Sequence, residues 1–146
     1  MRRLLVIEDG DEYVQFARVF LTDFAVAAAQ SAAAALAALR ADGADALLVD
    51  LRFDRAPADA LVGDLAATAA RLFAGDTARA LRYLQDQQGT LILAELRAAG
   101  FAQPALFVHD FGARRLDNLR HLYGAVDAVA TLDAASIRRA LTNGAA

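Results

Sequence analysis

The stretch LLVDLRFD, residues 47–54, decides the fold. An apolar run ends in a carboxylate, Asp50, and the chain then turns polar. The apolar residues are continuous rather than alternating, which marks a strand covered on both faces, hence one inside a parallel sheet. A strand of this kind that ends on an aspartate sets a carboxylate at the carboxyl edge of the sheet, where ligands gather in open α/β sheets.

The flanking sequence repeats the pattern. LLVIE (4–8) is a buried strand running into Glu8 and Asp9, and Val14, Ala17, Phe20 and Leu21 then recur at helical spacing between Asp11 and Asp23. FAVAAA (24–29) is a strand of weak propensity. Ser31 is placed to cap AAAALAALR, and Gly43 to stop it. ADALLVD (44–50) follows. QPALFVHD (103–110) is a fourth strand, Leu116, Leu119 and Tyr123 mark a short helix ended by Gly124, AVDAVAT (125–131) is a fifth strand, and Asp133 caps AASIRRAL (134–141). Strands alternating with helices predict a flavodoxin-like, doubly wound five-stranded parallel sheet of order 2-1-3-4-5, with helices on both faces. The 146 residues read as a single domain.

Composition excludes several classes. The formal net charge is −3, with no basic surface for a nucleic acid. There is no cysteine, hence no disulfide, thiolate metal site or cysteine nucleophile. No apolar run is long enough to span a membrane, and the N-terminus turns acidic too early for a signal peptide, so the expected location is cytoplasmic. All 15 basic residues are arginine. GDTARA (75–80) lacks the glycines and lysine of a phosphate loop.

In the predicted order the first and third strands are neighbours, so Glu8, Asp9 and Asp50 converge at one edge. Three carboxylates repel unless a proton or cation joins them. Mg²⁺, a hard ion that takes oxygen ligands, suits them, and a carboxylate beside it is a competent nucleophile towards a phosphoryl group.

These residues resemble the receiver domains of two-component response regulators. LLVIEDGDE is similar to that family's first strand with its acid pair, ADALLVDLR to its phosphoacceptor strand, QQGTLILAELRAAGFAQPALFV to its third helix and fourth strand, and LYGAVDAVAT to the approach to its fifth strand. The resemblance implies Asp50 as phosphoacceptor, with Mg²⁺ held by Glu8, Asp9, Asp50 and the backbone carbonyl of Arg52. It also implies a stand-alone phosphorelay module whose partner is a sensor histidine kinase or another signalling protein. Three positions depart from the family. His109 stands where a threonine or serine binds the phosphoryl group, Thr131 where a lysine is expected, and Ala128 where an aromatic switch residue belongs. His109 is expected to sit as an imidazolium beside the acids, and Arg114 or Arg115 to swing towards the pocket.

Residues of about 55–88 form an insertion that such domains lack. Leu61, Leu65, Ala69 and Leu72 predict one amphipathic helix, and Asp76 caps a second carrying Leu81 and Leu84, with Tyr83 expected in the core. The pair reads as a lid, a partner-docking element or a homodimer contact. His121 and the Arg138–Arg139 pair read as surface residues. Two further readings fit the same residues. One is a phosphorylation-independent pseudo-receiver or dimerisation module; the other is a small Mg²⁺-dependent phosphoryl-transfer enzyme using Asp50.

Overall fold

A computed structural model describes residues 1–144. The order of elements is β1 (Arg2–Ile7), α1 (Glu12–Phe20), β2 (Phe24–Ala29), α2 (Ala32–Ala41) and β3 (Ala46–Val49). A 3₁₀ turn (Ala58–Ala60), α3 (Leu65–Leu72), α4 (Thr77–Asp86) and α5 (Gln88–Ala98) follow. The chain closes with β4 (Ala105–Val108), α6 (Ala113–Tyr123), β5 (Val126–Val129) and α7 (Ala134–Gly144). All strand pairs are parallel, in the order β2-β1-β3-β4-β5.

The continuous apolar strands have the predicted cause. Leu5, Ile7, Leu47, Val49 and Phe107 pack under α2, α5 and α6, while Leu4, Val6, Leu48 and Leu106 face α1 and α7. Both faces are therefore dry, and each fully buried leucine contributes about 1.5–3 kcal/mol relative to exposure. The predicted caps hold as well. The Ser31 hydroxyl accepts the Ala34 N–H, the Asp76 carboxylate accepts that of Arg79, and the Asp133 carboxylate accepts those of Ala135 and Ser136. Gly124 ends α6 at φ +77°, a conformation that costs other residues more.

The segment between β3 and α5 departs from the single helix expected over 61–72. Gly63 adopts φ +118°, which interrupts any helix there, and the Asp64 carboxylate caps a new start at Leu65 by accepting the Ala67 N–H. Leu61 thus lies outside the helix. Ala69 is its buried residue, and Leu72 is 56% exposed. Tyr83 is not in the core either: it is 39% exposed, with its ring 5.7 Å from that of Phe73. Arg138, read as a surface residue, is partly exposed and pairs there with Asp23 at 2.8 Å.

The two extra helices are fastened to the carboxyl end of β3. Gly89 N–H donates to the Leu51 carbonyl at 2.8 Å, and Phe53 N–H to that of Gln85 at 2.8 Å. A Cβ on Gly89 would overlap the Asp50 carbonyl oxygen and Leu51 Cα, so only glycine permits this approach. Gln88, 1% exposed, accepts the Val62 N–H at 2.7 Å and donates to the carbonyls of Val62 and Leu84. The segment is tied down beside Asp50.

Candidate functional site at the carboxyl edge of the sheet

Strand register brings the acids together. Asp50 N–H donates to the Ile7 carbonyl at 2.9 Å, and Glu8 N–H to that of Ala29 at 3.1 Å. Glu8, Asp9 and Asp50 thus stand at the ends of adjacent strands, but their surroundings differ sharply.

Glu8 is 2% exposed and faces the start of α1. Its two carboxylate oxygens accept the N–H groups of Tyr13 at 3.0 Å and Val14 at 2.8 Å. Those amides have no partner within the helix, and the positive end of the helix dipole favours a carboxylate there. Burial outweighs these bonds and holds the Glu8 carboxyl above its ordinary value.

Asp9 is half-buried, and one of its oxygens accepts the Arg55 N–H at 2.7 Å. The Arg55 side chain turns back to the Glu12 carboxylate at 2.5 Å, lowering the Glu12 pKa chiefly through that hydrogen bond. The pair lies across Gly10, where a Cβ would overlap both the guanidinium and the Glu12 carboxylate. Gln30 adds a bond of 3.3 Å to the Gly10 carbonyl. A hollow of about 310 Å³ beside this clasp is lined by Asp9, Gln30, Ser31 and Arg55, with Ala56, Pro57 and Ala60.

Asp50 is half-buried, and its pKa is pushed up to about 6. Desolvation is the main cause, the Arg52 N–H opposes it, and the charges of Asp9, Glu8 and Asp54 add to it. Tyr13 stands against Asp50. Burial first, then the Asp50 charge, raises its phenol above the ordinary value.

The diverged positions are arranged differently from expectation. Burial, then the charges of Arg52 and Arg115, holds the His109 ring below its ordinary value, with Asp110 opposing. The expected imidazolium beside Asp50 is therefore a ring pushed towards neutrality, packed edge-on to Phe111 at 4.6 Å between centroids. Phe111 in turn meets Phe107 edge-on at 5.5 Å. Arg115 does not reach for the acids: its guanidinium lies 5.0 Å over the Phe111 ring and donates to the Gln87 side chain. Arg114 is exposed on α6, as is His121. Ala128 is half-buried against the core, and Thr131 is exposed beyond β5. Arg52 is exposed, its N–H turned to Asp50. A hollow of about 350 Å³ lies at the other end of the sheet, lined by Pro104, Arg120, Gly124 and Asp127 among others, and touches none of these acids.

Magnesium asks for near-octahedral oxygen ligands at about 2.0–2.1 Å. Both Glu8 oxygens are committed to helix amides and one Asp9 oxygen to Arg55. Among the described residues no three histidine, aspartate or glutamate side chains converge closely enough to hold a metal ion. The structure thus shows no magnesium centre at this edge; the second Asp9 oxygen and the Asp50 carboxylate are the side-chain oxygens left to hold such an ion, which takes one or two carboxylates and several waters.

This architecture is that of solved response-regulator receivers. A receiver domain protein from Clostridium thermocellum superposes with a TM-score of 0.64 at 16% identity, over 99% of this chain and 94% of that one. A two-component response regulator from Clostridium difficile gives 0.65 at 10% identity, over 99% and 95%. The chain has the receiver-domain fold. A CheY-like receiver domain protein from Methanospirillum hungatei agrees, with a TM-score of 0.62 at 12% identity over 99% and 94%. No family model matches the sequence, and no curated protein matches it. Among the described residues no helix is long and apolar enough to cross a membrane.

Sequence reasoning missed Tyr13, Arg55, Gln88 and Phe111 as parts of this edge. Tyr13 had a signal in its place in the first helical turn after the acid pair. Arg55 had only its position as the second cation after Asp50, which says nothing of where its side chain turns.

Proposed function

We propose that this chain is a receiver-fold signalling module that acts by protein–protein recognition without receiving a phosphoryl group. One observation carries the reading: most of the groups expected to handle phosphate at this edge are otherwise engaged. Glu8 caps α1, Asp9 accepts Arg55, His109 packs on Phe111, and Arg115 lies on Phe111 and Gln87. Asp50, at the receiver phosphoacceptor position, is left with Tyr13 and the Arg52 N–H but without a cation to offset charge on a phosphoryl group. The partner fitting a receiver fold is a signalling protein of the histidine-kinase type, bound through surface complementarity rather than phosphate chemistry. A phosphoryl-transfer enzyme fits less well, since turnover needs a second acid or base at the nucleophile, and the nearest histidine faces an aromatic ring.

Intact-mass analysis after incubation with Mg²⁺ and a small phosphodonor tests this, with Asp50→Ala as control. The expected result is an unchanged mass on protein shown to be folded. A single phosphoryl adduct, lost in Asp50→Ala, would instead establish Asp50 as a phosphoacceptor.

A further inference from the structure

The first residues after β3 do more than lead into the extra helices. Arg55 touches the acidic edge twice, by its backbone N–H to Asp9 and by its guanidinium to Glu12. Asp9 and Asp54 both lie near enough to favour its charge further. The approach depends on Gly10, since any Cβ there would displace the guanidinium and the Glu12 carboxylate together. The chain on the far side is anchored too: Pro57 follows two residues on, and Gln88 grips Val62 through both its N–H and its carbonyl. Arg55 is therefore held at the rim from both directions.

We infer that Arg55 is a built-in counter-cation for Asp9 and Glu12 at the rim of this edge, standing in for a divalent ion and keeping one out while it is clasped to Glu12. The inference rests on the phosphorylation-independent reading above and supplies its physical cause. It does not require a strong ion pair. Both side chains are more than half exposed, and a pair of that kind stabilises a fold only slightly. Exclusion comes instead from charge and occupancy. A guanidinium repels a dication with twice the energy it would exert on a monovalent ion, enough in a water-like dielectric to weaken binding about tenfold at a separation of about 6 Å. The Arg55 N–H meanwhile occupies one Asp9 oxygen.

The test is a Mg²⁺ titration followed residue by residue through amide NMR spectra, at matched ionic strength, on wild type, Arg55→Ala and Arg55→Gln. The same spectra report whether each variant is folded, and Arg55→Gln keeps most of the side-chain bulk if Arg55→Ala unfolds. Wild type should show no saturable shift at Asp9 or Asp50 into the tens of millimolar. Either Arg55 variant should show saturable shifts there, with affinity about tenfold or more above the wild-type limit. Equal binding by wild type and variants overturns the inference, as does binding by none of them. The two failures differ in what they leave standing. If no protein binds, the phosphorylation-independent reading survives without Arg55 as its cause. If wild type binds and also gains an Asp50-dependent adduct, that reading falls as well.

Discussion

Replacing Asp50 by asparagine should stabilise this protein at neutral pH. The carboxyl titrates near 6 in the folded chain against an ordinary value of 3.8, so folding favours its protonated form. The folded state therefore binds more protons than the unfolded one between those values, and stability falls as pH rises through that window. Below about 3.8 the penalty is absent, and above about 6 it is complete. A shift of roughly two units corresponds to about 3 kcal/mol at most. Asp50 is only half-buried, and solvent screening reduces the expected effect to about 1–2 kcal/mol. Asparagine has nearly the same shape and can still accept the Arg52 N–H, so the substitution isolates the charge. Urea unfolding in chelator-treated buffer should show the Asp50→Asn midpoint raised by about 0.5–1 M at about pH 8, given slopes of about 1–3 kcal/mol/M. At about pH 4 the two curves should nearly coincide. Equal or lower stability of Asp50→Asn at the higher pH would refute the reasoning, and so would a gap of the same size at both. The first outcome would mean that a partner cation already offsets the Asp50 charge.

Two other substitutions probe how the extra helices are held. Helix propensity alone predicts that Gly89→Ala stabilises α5 by up to about 1 kcal/mol; the overlap with Asp50 and Leu51 backbone predicts a loss of about 1–3 kcal/mol instead, and thermal melting gives the sign. Gln88→Ala should cost about 1–3 kcal/mol by leaving the Val62 and Leu84 backbone groups unpaired, with faster hydrogen exchange at the Val62 amide than at β3; unchanged exchange there would mean another group holds the segment.

The fold was legible because its determinants are local and periodic. Strands buried on both faces read as unbroken apolar runs, and Ser31, Asp76 and Asp133 announce helix starts because a cap bonds amides two or three residues along the chain. The segment 61–72 was misread where one residue outweighed a pattern: Leu61, Leu65, Ala69 and Leu72 keep helical spacing, but Gly63 takes a backbone conformation no helix contains. Leu72 shows the complementary failure, since an apolar residue at a helical interval is buried only if something packs against it.

The chemistry of the edge was legible only in part. Sequence by itself determined that Glu8, Asp9 and Asp50 would meet at the carboxyl ends of neighbouring strands, because strand order and register follow from patterning. It also determined that no lysine could join them. Tertiary structure alone decided which acid does what. Glu8 turns to the amides of α1, Arg55 returns from the chain beyond β3 to close on Asp9 and Glu12, and burial, helped by Arg52 and Arg115, pushes the His109 ring towards neutrality. Those outcomes depend on distances between side chains remote in the chain, and on how much water each retains. Electrostatic energy varies with both, and neither is written in the order of the residues.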